Sequence, residues 1–280
     1  MSRLIVSLGR SSAAVPANPI PVAFVYNVLK LLTLARDLRR RKARERQHLF
    51  AAEGVRAVEE LVRSPVRVRG VLVAPQLADA PRGAALIADL RARGADVAEV
   101  TALEFLSAAE TESPQGVLAI AEIPLTDLNT LQLPPRARLV ILDGVQDPGN
   151  VGTILRTAAA LGAAAVLALP GTVDLWNAKV VRSAMGAHFR MPAASCSWAE
   201  LDALRARTPM ALWGADAGGQ KLHTLVAPDT LALLVGNDGA GLSQEARARA
   251  DVIAALPIDA SVESLNVAVA TGIFLYQLRS

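Results

Sequence analysis

Apolar residues at Val28, Leu31, Leu32, Ala35 and Leu38 recur at helical spacing and predict one helix over Val25–Arg46. The segment Phe50-Ala-Ala-Glu-Gly54 follows, and Val55–Val62 reads as an amphipathic helix. Val66–Ala74 alternates like a strand. Ala84–Arg93 is a helix ended by Gly94, Asp96–Val100 a short strand, Leu103–Ala109 a helix and Gly116–Ile123 a strand. This alternation predicts a first α/β unit over residues 25–123. Three prolines (Pro124, Pro134, Pro135) and a loss of periodicity predict a linker over residues 124–137.

A second unit, residues 138–280, opens with the buried-strand run Leu139–Leu142. A helix Val151–Leu161 closed by Gly162, a strand Ala164–Leu169 and a helix Asn177–Met185 follow. Strands are expected at Ala211–Ala215, Leu231–Val235 and Val252–Leu256, before a long helix Leu265–Leu278. Strands alternating with helices predict a mainly parallel sheet covered on both faces, with ligands bound beyond the carboxyl ends of its strands.

Composition narrows the class. The chain has 280 residues, 52% of them hydrophobic, which supplies one or two packed cores. Its single cysteine, Cys196, forms no intrachain disulfide or thiolate cluster and is expected buried. His48, His188 and His223 lack ligand spacing, so no metal is expected. No apolar run reaches the length of a membrane span, and Leu4–Leu8 is too short for a secretory signal, so a cytoplasmic protein with no membrane contact is expected. Residues 1–24 are expected to form a disordered tail.

The net charge is only +3, but its distribution is uneven. Arg36, Arg39, Arg40, Arg41, Lys42, Arg44 and Arg46 face only Asp37 and Glu45 within one short segment. A solvated helix face needs no such excess of cations. The segment is expected to track phosphates.

Three stretches of the second unit carry candidate chemistry. In the first, Leu139-Val-Ile-Leu-Asp-Gly-Val-Gln-Asp-Pro-Gly-Asn-Val-Gly-Thr-Ile-Leu-Arg156, a strand ends, Asn150 stands where it would cap the next helix, and Arg156 follows inside that helix. In the second, Leu233-Leu-Val-Gly-Asn-Asp-Gly-Ala-Gly-Leu-Ser243, glycines at 236, 239 and 241 follow a buried strand and permit close approach of backbone to ligand. Their spacing is not the dinucleotide fingerprint. In the third, Leu256-Pro-Ile-Asp-Ala-Ser-Val-Glu-Ser-Leu-Asn-Val-Ala-Val-Ala-Thr-Gly272, Ser264 and Asn266 mark the start of a helix rich in small residues. Each stretch alone is equally compatible with a cap, a tight turn or helix-on-sheet packing.

In this order and at these separations, the three stretches resemble the SpoU/TrmH branch of the SPOUT methyltransferases. His48-Leu-Phe-Ala-Ala-Glu-Gly-Val-Arg56 resembles that family's L30e-like RNA substrate-binding domain. The resemblance implies an α/β protein in which a SPOUT-type parallel sheet with a trefoil knot follows a smaller α/β L30e-like domain. It implies S-adenosylmethionine as cofactor, lined by Gly236, Leu256, Ile258, Leu265 and Asn266. It places Asn150, Arg156, Asp238, Ser264 and Asn266 at catalytic positions for methylation of a ribose 2′-hydroxyl. Arg156 would steady the developing alkoxide, and Ser264 and Asn266 would orient ribose and cofactor. The implied partners are RNA (23S rRNA first, tRNA second, no DNA) and a second copy, docked through the exposed faces of the first-motif and last helices. The chain has Asp238 where the family has glutamate, Ala260 where it has glycine and Ala268 where it has serine.

Two other readings compete. An RNA-binding protein that keeps the fold without catalysis needs none of Asn150, Arg156, Ser264 and Asn266. A nucleotide-dependent α/β enzyme needs an acidic residue about 20 positions beyond a proper glycine fingerprint, and that fingerprint fails here.

Overall fold

The computed structural model describes residues 22–80 and 82–279. The expected tail lies outside them up to residue 21. Its last three residues, 22–24, already belong to α1 (Val22–Asp37).

The first unit is a four-stranded sheet with helices on both faces. Its strands are β1 (Leu49–Glu53), β2 (Val68–Val73), β3 (Val97–Glu99) and β4 (Val117–Glu122), in the order β1-β4-β2-β3. β4 runs antiparallel to both neighbours, and β3 lies parallel to β2. The helices after α1 are α2 (Arg41–Gln47), α3 (Val55–Val62), α4 (Gly83–Ala92) and α5 (Ala102–Ala108). Leu31, Leu32, Ala35 and Leu38 of the first helical segment bury against Leu72, Phe105 and Ile120, as their spacing predicts.

The single helix expected over Val25–Arg46 is in fact two. Arg40 adopts an extended conformation and the chain turns between α1 and α2. Arg44 explains the break. Its Nη1 donates to the carbonyls of Leu38 (2.7 Å) and Arg39 (2.9 Å), which lie at the end of the first helix and lack helical partners. Its other nitrogens pair with Asp174 of the second unit, at 2.6 and 2.7 Å. A continuous helix would carry this side chain away from those acceptors.

The second unit is a six-stranded, wholly parallel sheet. Its strands are β5 (Arg138–Leu142), β6 (Ala165–Ala168), β7 (Ala193–Ser195), β8 (Ala211–Lys221), β9 (Leu231–Val235) and β10 (Val252–Ala255), in the order β10-β8-β9-β5-β6-β7. The parallel pairing matches the expectation. β5 and β9 are buried at every position, as near-continuous apolar runs between two helical layers should be. The helices are α6 (Pro148–Ala160), α7 (Ala178–Ala184), α8 (Trp198–Arg207), α9 (Gln244–Arg249) and α10 (Val267–Leu278). The short edge strand β7 and helices α8 and α9 were not anticipated, although Ser197 and Glu200 form a capping box at the start of α8. Cys196 is buried, and burial with the nearby Glu200 pushes its thiol up to about 12.

The expected linker is irregular but packed, with Leu128 buried beside Leu201 and Leu204. The units also meet directly. Phe50 of β1 stacks on Trp176 at 4.6 Å and on Phe189 at 5.6 Å, and His188 lies 4.6 Å from Trp176. Arg190 pairs with Glu60 at 2.7 Å. One continuous apolar core runs from the first sheet through this junction into the second.

Candidate active site

The three motifs converge at the carboxyl ends of β5, β9 and β10. Backbone economy sets the frame. Asp143, just past β5, is buried and accepts the Ser243 N–H at 2.6 Å, tying the first motif to the second. The Asn237 side chain donates to the Gly144 carbonyl at 3.1 Å and accepts from Gly239 N–H at 2.9 Å. Asn237 and Gly241 bridge one another across the loop. At Gly236 a Cβ would stand 2.2 Å from the Gly241 backbone, so the loop folds back only over glycine.

This loop walls a cavity of about 400 Å³. That volume lies in the range of roughly 300–1,000 Å³ usual for small-molecule sites. Leu256, Ile258, Leu265 and Phe274 give it an apolar side. Asp216, Asp238, Arg247, Glu263 and Ser264 give it a polar one. Of the residues expected at the cofactor, Gly236, Leu256, Ile258 and Leu265 line it; Asn266 stands next to its wall. The donor set suits S-adenosylmethionine. An apolar slot beneath folded-back backbone fits the adenine, and carboxylates fit hydroxyls and an ammonium group. Burial alone would raise the Asp216 carboxyl, but the Arg247 guanidinium (2.5 Å) and the Gly218 N–H outweigh it and hold it below its ordinary range. A fixed charge pair therefore stands in the cavity wall.

Beside the cavity, residues from all three motifs close a ring of hydrogen bonds. Asn266 caps α10, its Oδ1 accepting from Ala268 N–H (3.0 Å) and Val269 N–H (3.3 Å). Those donors fix the amide's orientation, so its Nδ2 must point outward. It donates to Asn150 Oδ1 at 2.9 Å. Asn150 in turn donates through Nδ2 to Asp238, and the other Asp238 oxygen accepts the Val267 N–H at 3.0 Å. Asn150 is not itself the helix cap, as its position had suggested. Asp147 is, accepting the Asn150 N–H at 2.8 Å and leaving the Asn150 side chain free for the ring.

Arg156 stands apart. It is exposed on α6 and does not line the cavity. Val267, Ala270 and Phe274 turn one side of α10 to the cavity, while Ala268 and Gly272 turn another to Thr153 and Thr157 of α6. Helix α10 thus lies between the arginine's helix and the cavity. Its groove with α6 is apolar, and Val269, Ile273 and Tyr276 are exposed along it.

The basic segment divides. Arg44 is buried at 3% exposure and holds the two units together, so it does not serve as the RNA contact expected of it. Arg36 bonds Ser107 at 2.6 Å and Arg39 bonds the Ala109 carbonyl. Arg40 pairs with Asp37, and Arg41 with Glu45 at 2.7 Å. Lys42 and Arg46 are exposed. Sequence reasoning missed Asp216, Arg247, Glu263 and Phe274. Asp216 alone had a signal, its place directly after the anticipated strand Ala211–Ala215. No metal-binding group of His, Cys, Asp and Glu exists among the described residues.

Comparison with known proteins covers both units. Residues 137–276 match the SpoU rRNA Methylase family, and residues 33–119 match the MRM3-like substrate binding domain. The chain is 34% identical over 245 residues to the 23S rRNA (guanosine(2553)-2′-O)-methyltransferase RlmP of Bacillus subtilis (strain 168), covering 87% of this chain and 94% of that protein. It superposes on the AdoMet-bound rRNA methyltransferase from Sinorhizobium meliloti with a TM-score of 0.77 at 28% identity, covering 89% of this chain and 94% of that one. The SpoU methyltransferase AviRb from Streptomyces viridochromogenes, in complex with AdoMet, gives 0.78 at 28% identity, covering 89% and 96%. With three motifs meeting at one cavity and matches spanning both units, the chain belongs to the SpoU rRNA methylase family.

Proposed function

We propose that this protein transfers the methyl group of S-adenosylmethionine to a ribose 2′-oxygen of 23S rRNA. The observation that carries the reading is the Asp238–Asn150–Asn266 ring, which draws together side chains 88 and 116 positions apart beside a nucleoside-sized cavity. A fold maintained only for RNA binding has no need of it.

When bound, the cofactor supplies an electrophilic methyl group. The chain's own residues position and polarise. Gly236, Leu256, Ile258 and Leu265 hold the cofactor and exclude water from it. Asn150 and Asn266, fixed by the ring, present amide groups to the ribose beside Ser264. The 2′-hydroxyl is a weak nucleophile until its proton is shared. Arg156 is kept from its own chain's cavity by α10, so it reaches the developing alkoxide and the adjoining phosphate only across the interface with a second copy, where its guanidinium, which stays protonated, serves as a cation and not as a base.

The same reading includes a homodimer formed on the apolar groove between α6 and α10. Val269 and Tyr276 are 53% and 56% exposed there, an unusual place for such side chains on a lone chain. It includes RNA contact by Arg39, Arg40, Arg41, Lys42 and Arg46, residence in the cytoplasm where ribosomes are assembled, and the knotted threading of the family. No helix among the described residues is long and apolar enough to cross a membrane.

The test is methyl transfer from labelled S-adenosylmethionine to unmodified 23S rRNA and tRNA, followed by digestion to nucleosides. A labelled 2′-O-methylnucleoside from 23S rRNA, lost with Arg156→Ala, is expected. Label on a base would overturn the ribose chemistry, and label on tRNA alone would overturn the substrate.

A further inference from the structure

A second cavity, of about 430 Å³, opens where the two units meet. Arg56, Thr111 and Ser113 line it from the first unit, and Arg182 and Ser183 from the second. We infer that this junction cavity seats a phosphodiester of the RNA strand, a few nucleotides from the ribose being methylated. The inference rests on the RNA-methylating reading above and adds a binding site to it.

Three features point to an anion. First, Arg182 is under-used. Its Nη1 is closed off from solvent yet has no hydrogen-bond partner among the described residues. The nearest carboxylate oxygen, on Glu53, is 3.8 Å away, beyond hydrogen-bond reach. Glu53 is already satisfied, for its two oxygens accept the Glu110 N–H at 2.8 Å and the Thr111 hydroxyl. A guanidinium has five donors, and this one keeps an unmatched Nη1 while the rest of the side chain is partly open to the cavity, so an anion seated there meets donors that no carboxylate among the described residues takes up. Second, α3 begins at this cavity with Gly54, which offers no side-chain cap. Gln115 takes the Val55 N–H at 3.0 Å, and the next N–H groups of the first turn, those of Arg56 and Ala57, have no acceptor among the described residues. Third, Arg56 is exposed and pairs with no described carboxylate. Arg56 and Arg182 against Glu53 leave the lining itself with one excess cation, with the Glu110 carboxyl, whose ionisation burial opposes, as the other acidic group near Arg182.

The position favours a strand of RNA over a free phosphate. The lining comes from both units, so a ligand there bridges the substrate-binding match to the methylase match. The cavity is also close to the chemistry. Ser183 touches Gly152, where a Cβ would stand 2.4 Å from the serine's own, and Gly152 is two residues from Asn150. A strand gripped here runs past the N-terminus of α6.

The test is the salt dependence of binding to a 23S rRNA transcript, measured for wild type, Arg56→Gln and Arg182→Gln, with S-adenosylmethionine binding as a control. Each lost phosphate contact lowers the slope of log K against log salt by about one. A slope reduced by about one in each variant, with cofactor affinity unchanged, is expected. Arg182→Lys separates charge from folding, for it keeps the slope if the contact is electrostatic. A wild-type slope in both glutamine variants overturns the inference. So does inorganic phosphate that raises the melting temperature of wild type but not of Arg182→Gln while the RNA slope stays put, since the site then takes a free anion. Wild-type protein that binds no RNA at all overturns the activity and this inference with it, a result distinct from the variants alone behaving normally.

Discussion

The hydrogen-bonded ring beside the cavity and the junction between the units treat polar groups in opposite ways. At the cavity, Asp238, Asn150 and Asn266 are partly or fully exposed and bond to one another in a closed ring. At the junction, Arg44 and His188 are buried, one fully paired and the other not at all. An exposed ring sets direction and contributes little to stability. A buried ion pair or a buried imidazole bears directly on folding. Substitutions should therefore separate cleanly into those that change turnover and those that change stability.

The largest effect is expected at the junction. Arg44→Ala leaves Asp174 and two helix-end carbonyls without their donor, which should cost about 3–5 kcal/mol by urea unfolding. Cofactor affinity of the fraction that remains folded should be unchanged; a loss of turnover without a loss of stability would erase the distinction between the regions.

His188 sharpens the contrast through pH. Burial pushes its imidazole down from 6.5 to about 3. The unfolded chain takes up that proton near pH 6.5, while the folded chain resists until about pH 3. Stability is thus complete above about pH 6.5 and falls as the pH drops through that window, by about 1.4 kcal/mol per unit. Between pH 6.5 and 4.5 wild type should lose about 2–3 kcal/mol more than His188→Phe. Equal losses would mean that the imidazole finds a partner in solution.

At the cavity, Asp238→Asn keeps one acceptor for Val267 N–H but sets a donor against the Asn150 amide. A hydrogen bond to a charged group is worth about 1.5–3 kcal/mol, so turnover should fall about 10–100-fold with little change in melting temperature. Asp238→Glu, which restores the family's usual residue, should keep most of the activity. The smallest effect belongs to the surface. Arg41→Gln breaks an exposed helix pair with Glu45 and should alter stability by less than about 1 kcal/mol.

Sequence periodicity served the two regions unequally. β5 and β9 were legible because every residue is apolar and buried, and α10 because Asn266 caps a run of small and apolar residues. Motif order gave the cavity wall at Gly236, Leu256, Ile258 and Leu265. The break after α1 was hidden, because its cause is a contact 130 positions away, between Arg44 and Asp174. For the same reason a run of like charges concealed one arginine that faces inward. Asp147 and Asn150 were confused because both suit a helix start, and only the Pro148 between them favours the earlier one. Arg247 lies on a helix too short to register by period.

The fastening of the last helix has a consequence for modularity. Arg138, the first residue of β5, donates through Nε to the carbonyl of Leu278 at 2.7 Å. The last turn of α10 is therefore pinned at the amino end of β5, whereas the three motifs meet at the carboxyl ends of the strands. A recognition domain or an affinity tag joined after α10 hangs from the far edge of the sheet. A segment appended there would leave the carboxyl-end cavity undisturbed, whereas the first unit, whose apolar core continues into this one, is not detached so freely.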